Sequence, residues 1–359
     1  MSIILPTFNE CATITVILQQ LLLLRDRWSI ELIVVDDDSA DGTAEQVRKL
    51  AHQQPEIRLI RRVGRSGLSS AIKEGLLDAT GDLAVVMDCD GQHQPIAVGL
   101  ALEALLSQGS DLVIGSRFHP EASILGLSDS RQDQSILANR LARFSLPRYR
   151  QLTDYMSGFM AMNLDRCMPW VRQVDVQGFK FLYELLALSR GQLKVAEIPL
   201  HFQSRSHGSS KLDQAVLWDF GVSILHTLLL RLVPRRAVSF ALVGLSGVGL
   251  QLLASKLLML IGLSFELALP VAVLVSAISN YLINNSLTFR HRRLQGMPLL
   301  AGLVKFLAVA SLPMLANVGL ASLFYNQISN DTFFAQIAGI AVVFVWNYAA
   351  TSRFVWNSP

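Results

Sequence analysis

Leu83-Ala84-Val85-Val86-Met87-Asp88-Cys89-Asp90-Gly91-Gln92-His93 is the stretch that decides how the front of this chain folds. Five apolar residues in a row suit a short strand buried on both faces. The strand then stops at two carboxylates one residue apart, followed by a glycine and an amide. Working outward, Ile3-Ile4-Leu5, Leu32-Ile33-Val34-Val35, Arg58-Leu59-Ile60 and Leu112-Val113-Ile114 are runs of the same kind. Helix-like stretches at 11–24, 42–53, 67–79 and 95–107 separate them. This alternation predicts an α/β fold with a mainly parallel sheet covered by helices on both faces. Ligands in such sheets bind beyond the carboxyl ends of the strands, and the uncommon residues lie there.

The back of the chain is of another kind. The 359 residues are 51% hydrophobic and 16% charged, with mean hydropathy +0.39, whereas soluble domains carry about 25% charged residues. Residues 237–359 hold only Lys256, Arg290, Arg292, Arg293, Lys305, Arg353, Glu266 and Asp331 as charged side chains. The pI near 8.8 therefore belongs to that region and does not mark a nucleic-acid surface. Disorder, a disulfide scaffold and a single soluble domain are excluded. Cys11, Cys89 and Cys167 show no paired or metal-like spacing, which fits a reducing compartment.

A helix needs about 20 apolar residues to span a bilayer, and four segments qualify: approximately 237–262, 267–289, 299–325 and 332–352. Arg231, Arg235 and Arg236 precede the first, Arg290, Arg292 and Arg293 separate the second from the third, and Arg353 follows the fourth. The other two loops carry only Glu266 and Asp331. The positive-inside rule then predicts a multi-pass integral membrane protein with both termini and the front domain in the cytoplasm. No basic n-region with a cleavable apolar core opens the chain, so no signal peptide is expected. The segment 212–235 is apolar but broken by Asp213, Asp219, His226 and Arg231, which suits helices lying in the headgroup plane. The expected organisation is a globular domain at 1–211, interfacial helices at 212–235 and a four-span membrane domain at 236–359.

The spans contain an internal echo. Asn280-Tyr281 with Phe289 recurs as Asn347-Tyr348 with Trp356, 67 residues on, and Phe240-Ala241-Leu242-Val243 echoes Phe306-Leu307-Ala308-Val309, 66 residues on. A duplicated helix pair explains both echoes; aromatic anchoring at the membrane interface accounts for them without duplication. Asn280, Asn284, Asn285 and Asn347 suit hydrogen bonds between helices. Lys256 and Lys305 suit snorkelling.

Three strand ends gather the polar chemistry of the front: Pro6-Thr7-Phe8-Asn9-Glu10, Asp36-Asp37-Asp38-Ser39-Ala40-Asp41-Gly42-Thr43, and Asp88-Cys89-Asp90-Gly91-Gln92-His93. Acids in this density repel one another unless a cation neutralises them. Asp88 and Asp90 with Gln92 make a set of oxygen donors suited to Mg²⁺ or Mn²⁺ held together with substrate phosphates.

These blocks resemble the signatures of family 2 inverting glycosyltransferases, and most closely those of the dolichyl-phosphate mannose synthase group with its bacterial polyprenyl-phosphate hexosyltransferase relatives. The likeness continues through Gly67-Leu68-Ser69-Ser70-Ala71, Gly115-Ser116-Arg117-Phe118, and Asp154 before Ser157-Gly158-Phe159. It ends with Gly178-Phe179-Lys180 and Arg205-Ser206-His207-Gly208-Ser209-Ser210-Lys211-Leu212. The four-span region is similar to the GtrA-like membrane domain fused to some of these enzymes.

The resemblance implies a GT-A type nucleotide-sugar-binding domain. By the family pattern, Pro6, Asn9 and Glu10, with Asp36 or Asp37, hold the nucleotide base and ribose. Asp88, Asp90 and Gln92 bind Mg²⁺ or Mn²⁺, with Asp90 central to catalysis. Arg205 and Lys211 grip the diphosphate from a lid formed by Ser204 to Ser210. Arg117, Arg131 and Ser135 bind the phosphate of a lipid acceptor, a role that suits the two-pronged guanidinium, and Asp154 orients the acceptor or the sugar. The implied reaction moves one hexose, mannose before glucose, from GDP-mannose or UDP-glucose to dolichyl or polyprenyl phosphate.

Asp38 stands where the family usually has Asn or Gly, and adds charge beside the nucleotide. Ala40 replaces a usual proline, Cys89 a small residue, and Ser69-Ser70 a pair that commonly contains glycine. A processive polysaccharide synthase shares the nucleotide and metal motifs, but its interfacial Gln-x-x-Arg-Trp is missing from this sequence. A lipid-sugar transporter or scaffold with an inactive front is the other alternative, and the intact acids and basic clamps argue against it.

Overall fold

Period-two burial builds the sheet. In β1 (Ser2–Thr7) Ile3 and Leu5 enter one face and Ile4 the other; in β2 (Glu31–Asp36) Leu32 and Val34 oppose Ile33 and Val35. All seven are 0% exposed. Both faces are covered, so the strands read as unbroken apolar runs rather than as alternation. Each fully buried aliphatic side chain contributes about 1.5–3 kcal/mol.

The computed structural model describes residues 1–65, 67–123, 129–176, 180–201, 214–311 and 332–357. The chain divides into two units, Met1–Leu228 and Leu229–Pro359. In the first, β3 (Ile57–Arg61), β4 (Leu83–Val86), β5 (Leu112–Ser116), β6 (Met160–Asn163) and β7 (Val195–Pro199) complete a seven-stranded sheet of order β3-β2-β1-β4-β6-β5-β7. Every pairing is parallel except those of β6, which runs antiparallel to β4 and β5. The expected α/β class and mainly parallel sheet are therefore present, and the arrangement is of the GT-A type.

Helices α1 (Ile14–Leu22), α2 (Thr43–Ala51), α3 (Leu68–Asp78) and α4 (Ile96–Ser107) occupy the stretches predicted for them. α3 lies so close to the sheet that a Cβ on Gly75 would meet Ile4 Cγ2 at 2.6 Å. Beyond the predicted elements lie α5 (Asp129–Ser145), α6 (Leu164–Val171) and α7 (Phe181–Ser189). Asn163 caps α6 by accepting the Arg166 N–H at 3.1 Å. Leu146, Tyr149, Tyr155 and Tyr183 close the core on the α5 side.

The segment read as interfacial contains α8 (Gln214–Leu228). Its Ile224 is buried, its Phe220 packs edge-on to Tyr183 at 5.6 Å between centroids, and its Leu217 is 52% exposed.

The second unit is helical: α9 (Arg235–Leu260), α10 (Phe265–Ile283), α11 (Met297–Ser311) and α12 (Thr332–Phe354). A π-helical turn, Asn284–Thr288, follows α10. The repeated aromatic residues meet one another. Phe289 and Trp356, 67 positions apart in sequence, stack at 4.1 Å and 8°. Phe240 meets Tyr348 at 5.7 Å, and its counterpart Phe306 meets Tyr281 at 5.5 Å. An exchange of the two helix pairs maps each of these contacts onto the other, as the duplication reading requires.

Asn285 bonds as expected of an interhelical asparagine. Its oxygen accepts the Leu294 N–H at 2.9 Å and the Trp356 indole N–H at 3.1 Å, and its amide donates to the Leu294 carbonyl at 3.0 Å. Asn280 packs against Gly247 of α9, where a Cβ would fall 2.4 Å from its amide. The side-chain oxygens of Asn280, Asn284 and Asn347 have no hydrogen-bond partner among the described residues.

Candidate active site

Parallel strands bring their carboxyl ends to one edge, and antiparallel β6 starts at that edge. Residues 6–10, 36–43, 88–93, 115–118 and 153–159 thus converge although they are far apart in sequence.

The β1 and β2 ends interlock. Asn9 adopts φ 62° and Asp38 φ 56°, a left-handed conformation that short polar side chains tolerate. The Asn9 N–H donates to Ser39 Oγ at 2.8 Å and its side-chain oxygen accepts the Ala40 N–H at 3.2 Å. The Glu10 N–H donates to Thr43 Oγ1 at 3.0 Å. Pro6 is buried within β1. The left-handed backbone at 38 accounts for the usual Asn or Gly there. The charge expected at Asp38 is balanced by Arg61, whose Nη2 lies 2.6 Å from its carboxylate.

Asp36 and Asp37 are both engaged by the protein. Asp36, 0% exposed, accepts Thr7 Oγ1 at 3.1 Å, Ser39 Oγ at 2.6 Å and the Ser39 N–H at 3.0 Å. Asp37 pairs with Arg62 at 2.8 Å and accepts the Gly67 N–H at 2.7 Å. Burial pushes the Asp37 carboxyl up; the Gly67 bond and Arg62 oppose this, and the nearby Asp36 and Glu74 charges reinforce it. Arg62 is 2% exposed and also approaches Glu74 at 3.3 Å. Sequence reasoning missed Arg62, whose only signal is a basic residue one position past a strand end.

The β4 end forms a tight turn. Asp90 Oδ1 accepts the Gln92 N–H at 3.0 Å, an Asx-type turn with Gly91 at φ 82°. His93, 3% exposed, accepts the Asp88 N–H at Nδ1 at 3.1 Å, so its proton lies on Nε2, which is 4.0 Å from Asp88 Oδ2. Cys89 is buried, and burial followed by Asp88, Glu10 and Asp90 holds its thiol far above the usual range, so it is inert. Gly158 lies beneath Asp88: a Cβ there would fall 2.5 Å from Oδ2. Asp88, Asp90 and Gln92 offer two carboxylates and an amide, hard oxygen donors that fit Mg²⁺ or Mn²⁺ completed by diphosphate and water.

Across the edge, Asp154 clamps Arg117. The guanidinium donates through Nε at 2.7 Å and Nη2 at 2.9 Å, and the Arg117 N–H reaches the same carboxylate at 3.3 Å. Asp154 also accepts the Met156 N–H at 3.1 Å and is 0% exposed. Burial pushes its carboxyl up, but Arg117 and the hydrogen bonds outweigh burial and hold it below the usual carboxylate value. Asp154 thus orients Arg117.

Lys180 shares this environment. Burial and Arg117 lower it, Asp154 and Asp88 raise it, and the net is an ammonium at about 8. Its motif was legible, but its place among these charges was not. Ser135 lies half-buried on α5, the helix that also carries Arg131. The side chain of Arg131, and Arg205, Lys211 and the lid between Ser204 and Ser210, lie outside the described residues.

The acid-rich β4 end thus shares its surroundings with a clamped arginine and a half-buried lysine. Comparison with known proteins identifies the family. The Glycosyl transferase family 2 profile matches residues 2–165, and the GtrA/DPMS transmembrane domain profile matches residues 239–356. A dolichol-phosphate mannosyltransferase of Pyrococcus furiosus is 33% identical over 294 residues, 81% of this chain and 82% of that protein. An undecaprenyl-phosphate mannosyltransferase of Micrococcus luteus is 30% identical, over 62% of this chain and 90% of its own length. Among solved structures, the glucosyl-3-phosphoglycerate synthase of Mycobacterium tuberculosis is similar at a TM-score of 0.48 and 23% identity, over 63% of this chain and 79% of that chain. The chain belongs to glycosyl transferase family 2 and carries a GtrA/DPMS transmembrane domain behind its transferase domain.

Proposed function

We propose that this glycosyltransferase moves a single hexose, mannose before glucose, from a nucleotide sugar to a polyprenyl phosphate at the cytoplasmic leaflet, with inversion at the sugar carbon. The observation that carries this reading is the meeting of two opposite charge sets at one sheet edge: the acids that follow β4, with Asp88 against Gly158, and Arg117, held by Asp154 at 2.7 Å between the ends of β5 and β6. The acid side suits a metal and a sugar diphosphate, and the basic side suits a second anion, the acceptor phosphate. The names of the mannosyltransferase relatives, one of which aligns along 81% of the chain, support mannose as the sugar and a polyprenyl phosphate as the acceptor.

In this reading the loops at Pro6–Glu10 and Asp36–Asp37 form the nucleotide pocket, with Asp36 shaping its wall through Ser39 and Thr7. Asp88, Asp90 and Gln92 hold Mg²⁺ or Mn²⁺. When bound, the cation neutralises charge on the departing nucleoside diphosphate. Arg205 and Lys211 close on that diphosphate from the lid. Arg117, oriented by Asp154, joins Arg131 and Ser135 in holding the acceptor phosphate in line with the sugar. A phosphate monoester is already ionised near neutral pH, so its oxygen attacks without a strong general base, and Asp154, paired with Arg117, is spared that task.

Features of the first unit support a site at the membrane surface. Leu137, Leu141 and Phe144 lie on one face of α5, which also carries Ser135, and are 58%, 44% and 68% exposed. Leu217 on α8 is exposed as well. The boundaries 1–211, 212–235 and 236–359 follow from the same reading, with 212–235 in the headgroup plane and Arg235, Arg236, Arg290, Arg292, Arg293 and Arg353 on the cytoplasmic side.

The test presents membranes containing polyprenyl phosphate with labelled GDP-mannose and, separately, UDP-glucose. Label entering the lipid phase with one sugar per lipid, lost with EDTA or in Asp90→Ala, is the expected result. Polymer would support a processive synthase instead, and no transfer from any sugar nucleotide would support a scaffold. Full transfer by Asp90→Ala would sink the metal assignment.

A further inference from the structure

Four hydrogen bonds converge on one carboxylate behind the Arg117 clamp. Glu197 lies on β7, in parallel register with Ile114 of β5. Its Oε1 accepts the N–H groups of Thr153 at 2.8 Å and Asp154 at 3.1 Å. Its Oε2 accepts the Thr153 N–H and the Thr153 hydroxyl, both at 3.0 Å. The direction of the next bond follows from this. The Thr153 hydroxyl proton is committed to the carboxylate, which only accepts. Ser116 Oγ is therefore the donor in its 2.6 Å bond to Thr153 Oγ1, and it accepts the Phe118 N–H at 3.1 Å.

A directional relay thus runs from the Phe118 amide through Ser116 and Thr153 to Glu197. It ties residues 116–118 to residues 153–154, the two segments whose side chains make the Arg117–Asp154 pair. The Arg117 side chain spends its Nε–Nη2 edge on Asp154, so the angle of its other edge depends on how these two segments are held.

We propose that Glu197 is a positioning residue for the acceptor phosphate: through Thr153, Ser116 and Asp154 it sets the angle at which Arg117 meets that anion. The proposal rests on the reading of Arg117 as an acceptor-phosphate ligand. The four bonds come from three donors, the Thr153 N–H, the Thr153 hydroxyl and the Asp154 N–H, and they need an acceptor at both side-chain oxygens of residue 197. In Glu197→Gln an NH₂ group replaces one acceptor oxygen and faces the Thr153 N–H and O–H, donor against donor. Thr153 must then turn its hydroxyl toward Ser116, and the relay to Phe118 loses its direction.

The experiment compares full-length enzyme in lipid–detergent micelles, with KM measured separately for polyprenyl phosphate and for the nucleotide sugar. Glu197→Gln is expected to raise the acceptor KM by roughly tenfold or more, the scale of a lost bond to a charged group, and to leave the nucleotide-sugar KM within about twofold. Thr153→Val removes only the hydroxyl link and is expected to give the same split with a smaller amplitude. The double variant should be no worse than Glu197→Gln, because the hydroxyl part of the donor–donor conflict is gone. An unchanged acceptor KM, or an equal rise in both KM values, overturns the proposal. If Glu197→Gln does not fold, Thr153→Val carries the test, and an unmoved acceptor KM in it overturns the proposal equally. Arg117→Lys separates the two ideas. If it leaves the acceptor KM unchanged, the phosphate reading of Arg117 fails; if it raises that KM while Glu197→Gln does not, only the role of Glu197 fails.

Discussion

Gly158 shows how one residue can be required by a neighbour's function rather than by its own turn. A Cβ at 158 would stand 2.5 Å from Asp88 Oδ2, so Gly158→Ala must displace a candidate metal ligand while leaving the core intact. Metal titration of transfer activity should show a half-saturating Mn²⁺ concentration raised by about 10–100-fold, the scale seen when support of a ligand is lost, with little change in melting temperature. Lys180 makes a second residue-scale prediction. It ionises at about 8 in the folded protein, against an ordinary 10.5. Between those values the unfolded chain binds more protons than the folded one, so folding stability rises as pH climbs through that window. Below it both states are protonated and the burial penalty is fully present. Transfer that needs the Lys180 cation should run the other way and fall above pH about 8. Lys180→Arg should move that limb to higher pH in a pH–rate profile, and a limb unchanged in Lys180→Arg assigns it to another group.

At the scale of elements, α5 and the helix pairs of the second unit make separate claims. Leu137, Leu141 and Phe144 recur at the spacing that lines one side of a helix. A lone exposed leucine means nothing, but three on the helix that bears Ser135 suit insertion among headgroups. Phe144→Trp should emit at shorter wavelength with liposomes and be quenched by brominated lipid; emission indifferent to lipid removes α5 from the membrane surface. In the second unit, Trp356 stacks on Phe289 and donates to Asn285, joining the end of α12 to the end of α10. Truncating such a buried aromatic costs about 3–5 kcal/mol, so Trp356→Ala should lower the melting temperature of the purified enzyme sharply. The duplication reading adds that Phe240→Leu and Phe306→Leu should cost similar amounts, because their contacts with Tyr348 and Tyr281 are counterparts. β6 escaped the sequence reading for an element-scale reason. Met160-Ala161-Met162-Asn163 is four residues long, and only its pairing with β4 and β5 makes it a strand.

For the whole molecule, the proposed orientation predicts labelling. Ser264→Cys, in the loop between α9 and α10, should react with an impermeant thiol reagent from outside sealed cells, and Gln295→Cys, between α10 and α11, only after they are opened. The reverse pattern would overturn the orientation. The parts of this protein legible from sequence alone are those that depend on composition and period. Apolar runs bounded by acids fixed the strand ends of an α/β sheet because both faces of that sheet must be dry, and charge depletion marked the membrane region because a bilayer excludes ions. The motif blocks also named Asp88, Asp90, Gln92, Arg117 and Asp154 as candidate site residues. Tertiary structure alone decided which partner each charge keeps. Asp37 is tied to Arg62, Asp38 to Arg61, Asp154 to Arg117, and Glu197 to the loop between them. Those pairings join residues that the sheet topology, parallel crossovers together with the antiparallel β6, brings together from distant parts of the chain, and ionic energy depends on distance and burial, neither of which the order of residues contains.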